Sequence, residues 1–270
     1  MPRVVSLVAL SVLLAAWPAR AQTSATPPPV SQAEQDERAD ENNPVKAVFF
    51  SLRNEFGNQL GDSWTDAFIV RSDRAWLKQH DKLAGKVGLL TRIDVPIVTS
   101  HSGTTTEAGL GDLYVQVLHV PWLTPRVALA MGSGMTLPTA TSDTLGFGKW
   151  QLAPIVVPVW FFPGRKGFFL IKLQEHVSLA GDASRPAVNY LQTAPSVVYN
   201  FRPRWWMSFE TEATTDWQHD NRVSFRTGVE LGHVVARRFG VSVRPEIPWG
   251  ANRTGDWTVK VVVTRYRVAT

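Results

Sequence analysis

Trp205-Trp206-Met207-Ser208-Phe209-Glu210-Thr211-Glu212-Ala213-Thr214-Thr215-Asp216-Trp217 is the stretch that decides the fold. Its odd positions are apolar or neutral, and its even positions turn polar after Trp206. Side chains alternate across a strand, so this stretch has one greasy face and one wet face. At about 3.3 Å per residue and a tilt of about 40°, it climbs roughly 30 Å, close to the thickness of a hydrocarbon slab. Trp205 and Trp217 cap the apolar face. Glu210, Glu212 and Asp216 share the other face and need water or cationic partners. The stretch reads as one stave of a transmembrane β-barrel.

The rest of the chain is consistent with that reading. With 270 residues, 44% hydrophobic content and no cysteine, it can form one large domain and offers neither disulfide nor thiolate metal site. Arg3, the apolar run Val4 to Trp17 and Pro18-Ala19-Arg20-Ala21 fit a secretory signal cleaved after Ala21. An anchoring helix is the alternative, but about 14 apolar residues fall short of the roughly 20 that a span requires. Removing Arg3 and Arg20 from 28 basic residues leaves 26 against 23 acidic, so the net charge falls from +5 to +3. That balance does not point to nucleic acid. Residues 22–44, with Pro27-Pro28-Pro29 and an acidic run, read as a flexible periplasmic leader, with a docking tail as the functional alternative.

No later segment offers 18 uninterrupted apolar residues, so a membrane crossing would have to use strands. From Val45 to the end, about twelve strands are expected: Val45 to Phe56, Asp66 to Lys78, Gly85 to Val98, Asp112 to Val120, Arg126 to Leu137, Trp150 to Phe162, Gly167 to Leu179, Val188 to Phe201, Trp205 to Trp217, Arg222 to Val235, Phe239 to Trp249 and Trp257 to Val268. Short links (Pro121 to Pro125, Pro163 to Lys166, Arg202 to Arg204, Ala236 to Arg238) alternate with longer polar ones (Thr99 to Gly111, Pro138 to Lys149, Ala180 to Ala187, Gly250 to Asp256). An all-β, antiparallel, up-and-down barrel with short periplasmic turns and long outer loops follows. Gln218 to Asn221 is shorter than the pattern predicts. A soluble periplasmic β-sandwich is the competing fold.

Applying period two places Arg92, Asp94, Lys172, Gln174, Glu210, Glu212, Arg226, Glu230, Arg244, Glu246 and Lys260 on the lumen side. Trp205, Trp217, Trp249 and Trp257 are expected at the membrane interface. Mixed charges of this kind make an ion-paired or solvated interior more readily than a catalytic site. Three places resist the pattern. Glu175 falls on the lipid face, which predicts a bulge, a near-interface depth or a register error. Asp66 to Lys78 alternates poorly. Pro154, Pro158 and Pro195 remove ladder donors and predict bulges or weakened pairing.

Gly109-Leu110-Gly111-Asp112-Leu113, Leu137-Pro138-Thr139-Ala140-Thr141, Leu145-Gly146-Phe147-Gly148-Lys149-Trp150-Gln151-Leu152-Ala153-Pro154 and Leu179-Ala180-Gly181-Asp182, in that order, carry a resemblance. With Asn43-Pro44-Val45, Arg185-Pro186-Ala187-Val188-Asn189 and Asp256-Trp257, the chain resembles the MetA-pathway of phenol degradation family, whose members are often labelled transporters. The resemblance implies an outer-membrane barrel passing small compounds, aromatic ones included, and offers no catalytic residues to carry over. One departure is the end, Tyr266-Arg267-Val268-Ala269-Thr270, where such barrels usually finish on an aromatic or apolar residue. Independently of any family, these glycines permit positive φ or close backbone approach, and Asp112, Asp143 and Asp182 can accept local backbone donors.

No catalytic residue, metal ligand set or cofactor is expected. The six histidines lack paired metal spacing, and neither a nucleophile elbow nor a phosphate loop occurs. His176-Val177-Ser178 is similar to an outer-membrane phospholipase in placing His and Ser two apart on a strand, but no third residue orients them. Two functions stand above lipid hydrolysis: a conduit for small solutes, and a structural or partner-binding barrel acting through its long loops. The expected partners are the outer-membrane bilayer, the outer-membrane assembly machinery and a small-molecule solute, without nucleic acid.

Overall fold

The computed structural model describes residues 49–77, 88–236 and 239–266. The expected signal segment, the leader, the first strand's start at Val45, the turn arginines 237 and 238 and the terminal residues 267–270 lie outside the described residues.

The described residues form antiparallel strands: β1 (Phe49–Gln59), β2 (Ser63–Leu77), β3 (Gly88–Ser102), β4 (Thr105–Leu110), β5 (Leu113–Leu123), β6 (Val127–Leu137), β7 (Lys149–Phe161), β8 (Gly167–Gly181), β9 (Asn189–Arg202), β10 (Trp205–Asp216), β11 (Arg222–Ala236), β12 (Phe239–Trp249) and β13 (Gly255–Tyr266). Strands adjacent in sequence pair with one another except β4 with β5, and β1 pairs with β13 to close the ring. β4 pairs with the Ile97–Ser102 stretch of β3 and β5 with its Gly88–Asp94 stretch, so β4 and β5 are two pieces of one stave. Thirteen strands therefore make a closed barrel of twelve staves. Closure pairs the staves on both sides within the sheet, which is what a hydrocarbon surrounding demands, while β4 at the rim pairs on one side, with β3.

One local expectation needs correction. Thr99 to Gly111 is not a long open loop. β3 continues to Ser102 and turns at Gly103 into β4, so the segment is a hairpin standing on the barrel rim. A membrane band about 25 Å tall needs only about 9–11 residues per tilted strand, and β3 has 15, so its last turn of chain and β4 rise beyond the band. The stave breaks at Gly111-Asp112, opposite Pro96, whose carbonyl accepts the Gly111 N–H. The prolines, for their part, weaken pairing without making bulges. The β7–β8 register skips Ala153-Pro154 and Val157-Pro158, and the β9–β10 register skips Ala194-Pro195. Register shifts fall instead at Trp150/Gln151 and Trp205/Trp206, near strand ends.

Glu175 does point outward, and its β8–β9 register is continuous. Of the three explanations, depth is the one observed. Glu175 lies level with Leu191 and Thr215, two residues short of Trp217, and its carboxylate accepts the Trp217 indole N–H at 2.9 Å. The charge therefore sits at the rim carrying the longer loops, with an interfacial indole as partner.

The outer surface is apolar along its height. Ile93, Val117, Leu173, Phe209, Val229, Leu231, Val243 and Val263 are all exposed. So much contiguous exposed apolar surface is what a bilayer covers and water does not. Exposed tryptophans mark the strand ends. Trp122, Trp160 and Trp205 lie toward the short turns, and Trp150, Trp217, Trp249 and Trp257 toward the long loops. Trp205 stacks on His233 and Trp249 on Phe225, with ring centroids 4.2 and 4.3 Å apart.

Candidate functional site

The inner face encloses a cavity of about 660 Å³. Arg92, Lys172, Glu210, Glu212, Arg226, Glu230, Arg244 and Lys260 line it, together with Arg53, Glu55, Arg71 and Asp73 of β1 and β2. Alternation is the reason: these residues share the inward faces of their strands, while Ile93, Leu173, Phe209, Val229 and Val243 on the opposite faces belong to the exposed apolar belt.

The charges are joined in a network. Glu246, 1% exposed, lies 2.7 Å from Arg244 Nε, 2.9 Å from Lys260 Nζ and 3.3 Å from Arg226 Nε. From this node Arg244 reaches Glu210 at 2.5 Å, and Arg226 reaches Glu212 at 2.8 Å. Lys260 approaches Glu55, which accepts from Arg53 at 2.6 Å. Across β2 and β3, Arg71 grips Asp94 with two bonds of 2.7 and 2.6 Å, and Arg92 donates to Asp73 at 2.7 Å. Bidentate and charge-assisted bonds of this length fix geometry as well as energy. Glu230 accepts the Ser242 hydroxyl at 2.5 Å, and Gln174 donates to the Tyr114 hydroxyl at 2.8 Å.

The opposite wall is apolar. Leu118 and Val120 of β5, Ala128 and Ala130 of β6, Ile155 and Val159 of β7 and Phe168 of β8 form one buried cluster, with Leu90, Val157 and Leu170 packed against it. Neither this wall nor the Arg53, Glu55, Arg71 and Asp73 contribution was read from the sequence. Where the lumen wall is apolar a strand is apolar on both faces, so β7 reads Ile155-Val156-Val157-Pro158-Val159-Trp160 without alternation. The Arg71-x-Asp73 spacing was the available signal in β2.

At the long-loop rim, the glycine and aspartate motifs gather into one assembly. The β6–β7 loop, residues 138–148, folds onto the inward face of the β3–β4 hairpin. Asp112 accepts the Ala140 and Phe147 N–H groups at 3.1 and 2.6 Å, and Thr139 Oγ1 accepts the Leu113 N–H and donates to Gly111 O. The Ser142 and Thr144 hydroxyls donate to Glu107, and Arg185 of the β8–β9 loop pairs with Asp143 and donates to Gly146 O. At Gly109 a side chain would collide with Thr141, so the loop's approach explains that glycine. Asp182 accepts the Ser184 N–H within its own turn. The three aspartates are thus used separately, and among the described residues no group of His, Asp or Glu gathers to hold a metal.

The hydrogen bond from Ser142, then that from Thr144, holds the Glu107 carboxyl below its usual range. A depressed folded pKa means that these bonds tie the loop fully above the reference value of 4.5 and release it as pH falls through the lower folded value. Amide-exchange protection over residues 140–147, corrected for intrinsic rates, is expected to drop between about pH 6 and about pH 3. In Glu107→Gln it should already be low at the higher pH.

His176 and Ser178 do not form a nucleophile–base pair. The His176 ring stacks on Tyr190 at 4.5 Å, and Ser178 Oγ accepts the Val188 N–H. No hydrogen bond joins the two side chains among the described residues.

No protein-family model matches the chain, and no curated protein matches it in sequence. Solved structures do resemble it. The COG4313 outer membrane channel from Pseudomonas putida F1 superposes with a TM-score of 0.68 at 13% identity, covering 83% of this chain and 96% of that one. The KdgM porin, in complex with disordered oligogalacturonate, gives 0.52 at 10% identity, covering 81% and 98%. The translocator domain of the autotransporter NalP from Neisseria meningitidis gives 0.51 at 8% identity, covering 86% and 95%. At these identities the likeness concerns the fold, which is that of an outer-membrane β-barrel.

Proposed function

We propose that this barrel is an outer-membrane channel for small solutes, aromatic ones among them, with its short turns toward the periplasm. The observation that carries the reading is the cavity inside the closed barrel, lined on one side by paired charges and on the other by aliphatic side chains. A wall of this kind gives a solute both hydration partners and an apolar surface. Twelve staves make a narrower lumen than the 16- to 18-stranded porins, which suits small solutes over oligomers. A conduit needs no catalytic group, and the stacked His176 and the hydrogen-bonded Ser178 favour it over lipid hydrolysis.

The resemblance to the phenol-degradation-pathway family, carried largely by the motifs that meet at the rim, supports the same reading. A partner-binding role for the long loops is less favoured, because residues 138–148 spend their polar groups on Asp112, Glu107 and Arg185 of the same chain. The test is swelling of liposomes containing the folded protein in a panel of sugars, aromatic acids and phenols. Wild type should admit them faster than protein-free liposomes do. Arg226→Ala leaves Glu212 with only the longer Lys172 contact, so uptake of anionic aromatic acids should slow relative to neutral sugars. Wild-type rates equal to those of empty liposomes would reject the channel.

A further inference from the structure

Lys172 is placed unlike any other cation of the lumen. Between their end residues β5, β6, β7 and β9 carry no Lys, Arg, Asp or Glu, the terminal Lys149 of β7 and Arg202 of β9 being at the rims, and on the inward face of β8 Lys172 is the only one. Its strand neighbour on the same face is Leu170, and the cavity it lines is bounded by Leu90, Leu118 and Ile155. Lys172 is therefore the charge that stands at the edge of the apolar wall. It is also the least engaged of the ion-paired cations. Its nearest described carboxylate oxygen, on Glu212, is 3.9 Å away, and Glu212 is already held by Arg226 at 2.8 Å. The other paired cations of the lumen each have a carboxylate within 3 Å, at Arg53, Arg71, Arg92, Arg226, Arg244 and Lys260, and Arg74 lies exposed on β2, away from the apolar wall's edge on β8. An ammonium has three donors, and a single long contact leaves most of that capacity for a ligand.

We propose that the cavity is a binding site for amphipathic organic monoanions, with the carboxylate received by Lys172 and the apolar body lying on Leu90, Leu118, Ile155 and Leu170. This rests on the lumen being the solute path. Three features argue for it over a neutral or cationic ligand. Eight basic and five acidic side chains line the cavity; adding Asp94 and Glu246, which pair with lining arginines, still leaves one excess positive charge. The free donor capacity sits on a cation, not on a carboxylate. And the apolar surface begins one inward position from that cation, so one molecule can touch both. The lining contains no aromatic ring, so the body is recognised by apolar contact and need not stack. A volume of about 660 Å³ lies within the range of about 300–1,000 Å³ usual for small-molecule sites.

The experiment is equilibrium dialysis of cyclohexanecarboxylate against the folded barrel in lipid nanodiscs, with empty nanodiscs subtracted. Saturable binding is expected, with acetate weaker by roughly tenfold or more because it buries almost no apolar surface. Lys172→Met should weaken cyclohexanecarboxylate by roughly tenfold or more, while Lys172→Arg keeps it within a few-fold. Lys172→Met leaves Glu212 paired with Arg226, so the variant should fold, which heat-modifiable gel mobility checks. Ile155→Asn should weaken cyclohexanecarboxylate and leave acetate unchanged. Equal binding of cyclohexylmethylamine, or unchanged affinity in folded Lys172→Met, would overturn the proposal. Binding without liposome uptake would remove the channel reading alone, and uptake without saturable binding would remove this inference alone.

Discussion

Glu246→Gln is expected to destabilise the folded barrel by about 3 kcal/mol, at the lower end of the roughly 3–5 kcal/mol lost when one partner of a buried ion pair is removed. The substitution keeps the volume but removes the charge that Arg226, Arg244 and Lys260 share. Arg244 retains Glu210 and Arg226 retains Glu212, which limits the loss. Lys260 retains only Glu55 at 3.8 Å and is the most exposed to the change. Urea unfolding in lipid vesicles measures it, with Glu107→Gln at the rim as the comparison. A change under about 1 kcal/mol, the size expected of a surface pair, would mean that Glu246 is not the organising anion of the network.

Phe209→Arg is expected to cost about 2–4 kcal/mol in the same measurement, the penalty for a basic side chain on the lipid face near mid-membrane. Phe209 is 50% exposed near the middle of β10, with Met207 and Val229 exposed beside it. The same substitution on a water-facing sandwich would replace an exposed ring by a well-solvated charge and cost little. The sign and size of this one change therefore separate the barrel in a membrane from the soluble alternative.

The fold was legible because most staves have two different faces. β10, β11 and β13 put most of their apolar residues on one face and most of their polar residues on the other, and their ends fall within two residues of those expected from the sequence. Legibility failed where a face changed character. In β7 the inner wall is as apolar as the outer, and in β2 Phe68-Ile69-Val70 hides the parity on which Arg71 and Asp73 depend. The rim motifs were legible as turns but not as an assembly, because the partners of Asp112 lie 28 and 35 residues along the chain and that of Arg185 39 residues back. The β3–β4 hairpin was missed for a related reason: Ser100, Ser102, Thr105 and Thr106 are small and polar, as loops are, and only pairing across the Gly103-Thr104 turn makes them strand. Charge pairing within the lumen, such as Glu212 with Arg226, followed from inward parity on adjacent staves. The three-cation node at Glu246 did not, since it joins β11, β12 and β13 through side-chain reach.

The most direct measurement is the current through planar bilayers holding the purified, folded barrel under a salt gradient. Conduction through this lumen should give discrete conductance steps with a reversal potential shifted modestly toward anions, from the single excess positive charge of the lumen, and a shift further in that direction for Glu246→Gln. Folded protein in the bilayer that carries no current, or a reversal potential favouring cations in wild type and unmoved in Glu246→Gln, would contradict it.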